Sequence, residues 1–309
     1  MQKITCLMSG GVDSSVSAML LKKQGYDVEG VFLMLNKNFN PRFAQAVAKR
    51  LNIKFRILDL KQEFKKQIID YFVSEYKKGR TPNPCVRCNQ FIKFNLPGLL
   101  ATGHYAIIKN NKLYRGKDKT RDQSYFLYNL TKKQLKNILF PVGGYTKKQV
   151  REIAQDLPCN QQESRDICFL QGNHNEFLKR HLKLEPGPIK FQNKIIGQHQ
   201  GLPLYTIGQR AGLGGGLFFV KKLDAKNNIL YVTDKDQDLY SSKLEVENIH
   251  WIDKPVKRCL AQIRYGHPAE QCAIKNNKVL FEKPQRAITP GQSIVFYDRE
   301  EVLGGGIIK

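Results

Sequence analysis

Acidic residues are scarce in this chain: 27 Asp plus Glu stand against 51 Lys plus Arg among 309 residues, a formal net charge of +24. Such an excess fits a polyanionic partner, because cationic side chains neutralise phosphates and release counterions. The lysines run along the whole chain rather than in one tail. A broad docking face for RNA, DNA or anionic lipid is therefore expected, with a merely basic soluble surface as the plainer alternative. Long apolar runs are lacking too. No stretch approaches the ~18 apolar residues of a membrane helix, and mean hydropathy is −0.45. The opening segment, Met1 to Gly11, carries one Lys and a short apolar stretch cut by glycines, unlike a secretory leader. A cytosolic address with no membrane attachment is expected. Low-complexity tracts and long internal repeats are absent, and 41% apolar with 10% aromatic content excludes a disordered tail.

A disulfide framework is also lacking. The seven cysteines, at 6, 85, 88, 159, 168, 259 and 272, are an odd number in an apparently cytosolic chain, so any disulfide there is expected to be transient and catalytic. Cys6, Cys259 and Cys272 fall in strand-like segments and are expected to be packing residues.

What is present is an alternation of strand and helix. Lys3–Met8 reads as a buried strand, Ser9–Asp13 as a glycine turn, and Ser14–Gln24 as a helix ended by Gly25. Strands at Val28–Leu35, Lys54–Leu58 and Leu99–Thr102 follow, with helices near Pro41–Leu51 and Gln62–Lys77. This rhythm predicts a parallel sheet covered by helices. Capping boxes at Thr131–Gln134 and Thr146–Gln149 each start a further helix, the first carrying Leu135 and Ile138 on its apolar face. A helix through His174–Lys183 precedes Glu185-Pro-Gly-Pro188, which reads as a linker. Beyond it the period changes to two. Hairpins are expected at Phe218–Leu223 with Ile229–Val232, and at Ala273–Ile274 with Val279–Phe281. The expected fold is α/β: a Rossmann-like parallel-sheet domain (1–172), a small central β-rich domain (173–242) and a C-terminal β-barrel (243–309).

The strongest local signal is Ser9-Gly-Gly-Val-Asp-Ser-Ser15, between a strand and a helix. Its glycines, Gly10 and Gly11, let the backbone approach a ligand. The helix beginning near Val12 offers free N–H groups to phosphate. Ser14 and Ser15 add hydroxyls, and Asp13 could orient Mg²⁺. No Gly-Lys-[Ser/Thr] follows, so this is not a Walker A loop. At these residues the chain resembles the PP-loop ATP pyrophosphatases, which cleave ATP between the α and β phosphates. The second signal is Cys85-Val-Arg-Cys88 in a Pro-rich stretch read as a loop, with Cys168 far downstream and Arg165 near it to favour a thiolate. By itself such a pair could serve redox, zinc or Fe–S chemistry, or be plain buried cysteine, and without a second C-x-x-C structural zinc is the weaker reading.

Taken in order, further segments make the pattern specific. They are Asn83-Pro84, Ala101-Thr-Gly-His-Tyr105, Asp122-Gln-Ser-Tyr-Phe126, Ile167-Cys-Phe169, Tyr205-Thr-Ile-Gly-Gln-Arg210, Arg264-Tyr265, Pro290-Gly-Gln292 and Leu303-Gly-Gly-Gly306. With the glycine loop and the cysteine pair, they closely resemble the bacterial tRNA-specific 2-thiouridylase family over essentially the whole chain. The resemblance implies a monomeric transferase that uses ATP and Mg²⁺ to place sulfur at C2 of the wobble uridine of tRNA. It implies ATP at Ser9 through Ser15, with Met34 and Gly103 beside the adenine and ribose. Cys168 would carry a persulfide from a sulfur-relay protein or cysteine desulfurase, and Cys88 would resolve it as a Cys88–Cys168 disulfide. Asn83, Pro84 and Cys85 would face the target base, and His104, Arg121, Asp122, Gln123, Arg264, Tyr265 and Gln292 would contact tRNA. For His104 a structural role stays open, as does an ordinary strand surface for Arg264 and Tyr265.

The sequence departs from that family in three places. Cys85 stands where many relatives carry an Asp, and the segments Asn36–Pro41 and Phe94–Leu100 are short. The substitution opens an alternative in which Cys85, Cys88 and Cys168 hold a 4Fe–4S cluster for the same or another RNA. Action on a different RNA or small molecule, or a non-catalytic tRNA-binding paralogue, are the remaining readings.

Overall fold

The computed structural model describes residues 1–162, 167–170, 172–213 and 216–309. Five parallel strands form the first sheet, in the spatial order Lys54–Asp59, Asp27–Met34, Lys3–Leu7, Leu100–Ala101, Ile138–Leu139. The chain starts in the middle, moves outward over two strands, and returns to the other side of its first strand. That reversal leaves a crevice beyond the carboxyl ends of Lys3–Leu7 and Leu100–Ala101, the place where open α/β sheets bind ligands. The helix Val12–Lys23 and the helix Arg42–Leu51 cover one face, burying Val16, Leu21, Ala44 and Val47 with Ile4, Cys6 and Met8. The other face packs Val31 and Leu33 on Phe64, Ile68 and Phe72 of the helical run from Lys61 to Lys77. That run contains one π-helical turn, Lys65–Ile69.

The fifth strand departs from the sequence expectation. The helix after Thr131 ends at Leu135, a turn from Asn137 N–H to the Gln134 carbonyl follows, and Ile138 pairs with Leu100 as an edge strand. Ile138 is thus apolar because the sheet buries it. Both capping boxes form: Thr131 and Thr146 accept from the amides of Gln134 and Gln149, whose side chains accept in return.

Glu185–Pro188 is only half a connection. Gly187 and Pro188 already belong to the strand Gly187–Phe191, where Pro188 needs no ladder N–H. It pairs with Lys194–His199 on one side and, in parallel, with Ile229–Thr233 on the other. Gly216–Asp224 and Arg210–Leu213 complete this second sheet. The expected hairpin from Phe218 to Val232 is present, as is the one that pairs Ala273 with Leu280.

At the C-terminus six antiparallel strands close into a barrel, because Tyr240–Trp251 pairs with both Lys278–Arg286 and the last strand, Glu301–Ile308. A hairpin from far upstream, Ala106–Lys109 with Lys112–Arg115, lies against that last strand through Val302↔Leu113 and Glu301↔Tyr114. Its turn is Asn110-Asn111, both at positive φ, the geometry of a tight hairpin. Cys259 and Cys272 are buried in the barrel and Cys6 in the first sheet, as packing residues.

Candidate active site: two clefts meeting at the glycine loop

The loop Ser9–Gly11 leaves the first strand at the crevice. Gly10 takes φ +85°, and a Cβ there would sit 2.7 Å from the Ala44 amide nitrogen, so glycine is required. Gly11 is the N-cap of the helix Val12–Lys23 and supplies no side chain to cap it. The hydroxyls of Ser14 and Ser15 both donate to the Gly11 carbonyl, at 3.1 and 2.8 Å, turning inward to brace the loop. Ser9 is exposed and within 3.2 Å of the Ser14 hydroxyl. From the neighbouring strand, Gly103 presses so close that a Cβ would meet the Ser14 amide nitrogen at 2.7 Å. An uncapped helix start beside a floor of two glycines fits the phosphates of a nucleotide.

Asp13, in the first turn, is engaged. The Lys147 ammonium donates to both of its carboxylate oxygens at 2.7 and 2.9 Å, and the Tyr105 hydroxyl donates to it at 2.7 Å. Asn160 N–H donates to the Gly10 carbonyl at 2.8 Å, tying the segment after the Lys147 helix to the loop.

Two clefts open from this point and share Ser9, Asp13, Ser14, Gln123 and Ile167. The larger, about 930 Å³, runs between the parallel sheet and the barrel and is lined by Asn83, Pro84, Cys85, Arg121, Tyr265 and Gln292. Gln292 donates to the Thr81 carbonyl at 2.8 Å, and Thr81 N–H donates to the Pro290 carbonyl at 2.8 Å. The barrel thereby holds the Thr81–Pro84 stretch in place. The Tyr265 ring, exposed, lies 4.6 Å from that of Phe126. A flat aromatic face of this kind can stack an unpaired base. Tyr265 and the half-buried Arg264 sit in a turn beyond the strand Arg258–Gln262, not on its surface.

The second cleft, about 610 Å³, is lined by Leu33, Leu35, Phe39, Lys93, Gly103, His104 and Cys168. Met34, between the lining residues Leu33 and Leu35, is half-buried and packs with the first core. His104 accepts or donates at Thr102 Oγ1, 2.7 Å away, and burial with the Lys93 charge holds its pKa well below the usual histidine value. It is neutral at pH 7.

The cysteines are not in a loop. Cys85 and Cys88 lie in the first two turns of the helix Pro84–Phe91, with Asn83 as N-cap and Pro84 at the first helical position, where a missing N–H costs nothing. Cys85 faces the larger cleft. Cys88 is buried with Phe64 and Phe169, and desolvation, with a smaller push from Cys168, raises its thiol to about 11. Cys168 is exposed at the second cleft; the protein around its sulfur raises its pKa and Lys93 opposes that. Arg165 lies outside the described residues. Among the described residues no three His, Cys, Asp or Glu side chains gather to hold a metal ion. Cys85, Cys88 and Cys168 therefore do not fit a 4Fe–4S cluster.

Arg121 and Gln123 line the larger cleft, but Asp122 between them is buried. It accepts from Arg115, Gly116 N–H and the amide and hydroxyl of Ser124, at 2.9–3.1 Å. Its place is to shape the turn that presents its neighbours. Lys93, Lys147 and Arg151 line the clefts without having been picked out in the sequence, and Tyr105 and Phe126, there only as members of longer motifs, line the larger one. The i, i+4 spacing of Lys147 and Arg151 behind a capping box was the one available signal.

Family models described as tRNA methyl transferase HUP domain, tRNA methyl transferase PRC-barrel domain and Aminomethyltransferase beta-barrel domain match residues 2–172, 175–234 and 241–308. The chain is 40% identical to a tRNA-specific 2-thiouridylase MnmA of Limosilactobacillus reuteri, covering 97% of this chain and 93% of that one. It is 38% identical to one of Syntrophomonas wolfei, covering 99% of each. It is 40% identical to one of Halothermothrix orenii, covering 100% and 99%. That last match spans 357 aligned positions against 309 residues here, so the relative carries insertions. At this identity over the full length, the chain belongs to the tRNA-specific 2-thiouridylase family.

Proposed function

We propose that this protein is a tRNA-uridine 2-sulfurtransferase that converts the wobble uridine of tRNA to 2-thiouridine. The observation that carries this reading is the meeting of two clefts at one uncapped helix start. Cys168 stands in one cleft, and Asn83, Cys85 and the Tyr265 face stand in the other. A nucleotide on Ser9 to Ser15, beside Gly103, would present its α-phosphate between a splayed base and a sulfur carrier.

ATP, with Mg²⁺, supplies the activation: its adenylyl group passes to the uridine O2, pyrophosphate leaves, and the oxygen becomes a leaving group. The residues do the rest. Asn83 and Pro84 at the helix start, with Cys85, border the base, and Tyr265 stacks a neighbouring one. Cys168 carries a persulfide received from a sulfur-relay protein or cysteine desulfurase. Its terminal sulfur attacks C2 and AMP departs with O2. Cys88, as thiolate, then attacks the Cys168 sulfur; the S–S bond to the product breaks, 2-thiouridine is released, and a Cys88–Cys168 disulfide remains for a dithiol to reduce. Because Cys88 is buried and its pKa is raised, that step requires the helix face carrying it to be uncovered. Arg121 and Gln123 on the cleft wall, His104 in its neutral form, Arg264 and Gln292 are proposed as tRNA contacts, acting from a monomer in the cytoplasm.

The test is nucleoside mass spectrometry on tRNA incubated with the protein, ATP, Mg²⁺ and a persulfide donor. ATP-dependent 2-thiouridine that disappears in Cys168→Ala is the expected result. Binding of tRNA with no thiolated product would overturn it.

A further inference from the structure

The larger cleft has a cationic wall that the family resemblance did not assign. Among the described residues, the charged side chains lining it are one acid, Asp13, and three bases, Arg121, Lys147 and Arg151. Lys147 is the first residue of the helix Lys147–Ile153, and Arg151, four residues on, falls on the same face. The helix is fixed: the Asp118 carboxylate accepts from the Lys147 backbone N–H at 2.9 Å, and Thr146 caps it. Further along, Asn160 bridges to Gly10 and Gly11. The wall is therefore tied to the glycine loop at Asp13 and at Asn160.

The Lys147 side chain, 14% exposed, spends its charge on Asp13, itself 33% exposed. An ion pair with one partner held in a phosphate-binding loop is exchangeable. A polyphosphate entering at the helix start brings several anionic oxygens within reach of an ammonium that now serves one carboxylate.

We propose that Lys147, with Arg151 behind it, is the binding site for the β and γ phosphates of the nucleotide and for the pyrophosphate it releases, and that Asp13 occupies Lys147 until they arrive. The assignment rests on the nucleotide reading of the loop and extends it to a second wall. In this arrangement AMP, which lacks those phosphates, makes no use of Lys147.

Equilibrium binding of pyrophosphate, ATP and AMP tests this without any turnover. Lys147→Met is expected to weaken ATP and pyrophosphate about tenfold or more, the scale of one charge-assisted contact, with AMP changed by no more than about twofold. Lys147→Arg should recover most of the loss. Since Lys147→Met strands Asp13, a second pair guards against a folding defect. In EDTA, Asp13→Asn should bind pyrophosphate more tightly than the parent chain, because it releases Lys147, and Asp13→Asn/Lys147→Met should lose that gain. Equal pyrophosphate affinity in those two variants, or parallel losses for ATP and AMP in Lys147→Met, overturns the proposal. A chain that binds ATP through Lys147 yet makes no 2-thiouridine would refute the proposed activity while leaving this site standing.

Discussion

Gly103 and Ser14 stand so close that no methyl group fits between them: a Cβ on Gly103 would lie 2.7 Å from the Ser14 amide nitrogen and 2.8 Å from the Asp13 carbonyl carbon. Both atoms belong to the first turn of the helix that follows the glycine loop, so relief requires the backbone to move. Gly103→Ala is expected to push the end of the Leu100–Ala101 strand off the loop. Overpacking of this kind costs about 1–3 kcal/mol. Titration with ATP should show at least about tenfold weaker binding, with tRNA binding largely kept.

Arg121 and Asp122 are adjacent yet should behave in opposite ways. Asp122→Ala takes the carboxylate partner from Arg115, which keeps Gln262 and the Tyr297 ring, and strips Gly116 and Ser124 of their acceptor in a buried setting. A loss of about 3 kcal/mol in stability is expected from denaturant melts. Arg121→Ala, on the cleft wall, should leave stability within about 0.5 kcal/mol and weaken tRNA binding. Equal stability losses in the two variants would contradict the placement.

The thiols give a pH prediction. Burial lifts Cys6 to about 12 and Cys88 to about 11, against about 8.5 in an unfolded chain. Above pH 8.5 the unfolded state gives up these protons and the folded state keeps them, so stability falls as pH rises from about 8.5 toward 11. Each thiol contributes up to ~1.4 kcal/mol per pH unit to that slope. Denaturant midpoints at pH 8, 9 and 10 should fall less steeply in Cys6→Ala. At neutral pH, timed alkylation read by peptide mass spectrometry should label exposed Cys168 first and Cys88 among the last.

Arg80 connects the helical layer to the barrel, pairing with Glu75 at 2.8 Å and with Glu247. Glu75 is buried. Arg80→Ala leaves that carboxylate with Lys78 as its remaining ion-pair partner, for an expected cost of about 3 kcal/mol. Arg80 also directly precedes Thr81, so the Asn83–Cys85 wall should loosen with it. Faster hydrogen exchange at residues 81–85 would be the sign.

How far the sequence went is clearest at particular elements. Thr146 and Gln149 announced their helix because a capping box is a local device, complete within four residues. The first four parallel strands were readable for a similar reason, each being a short local run, whereas their order in the sheet came only with the structure. Ile138 misled because one apolar residue past a helix suits a helix face or an edge strand equally, and only Leu100 decides. The Cys85–Cys88 pair was placed in a loop on the strength of its prolines, although Pro84 is where helices tolerate proline best. Lys147 went unnoticed because its partner Asp13 lies 134 residues away. Asp122 looked like a surface contact because nothing near it in sequence reveals that Arg115 and Ser124 enclose it.

The hairpin Ala106–Arg115 ties two matters together that a domain diagram would separate. It begins two residues after His104, which lines the second cleft, and ends as an added strand beside Glu301–Ile308. Cutting the chain after the parallel-sheet region would leave that hairpin without the strand whose Val302 packs with Leu113. Fragments made for expression should therefore be sticky rather than autonomous. Tyr265 and Gln292 of the barrel region line the larger cleft beside Ser9 and Asp13, so the wall of that cleft is complete only once the barrel has folded against the parallel sheet.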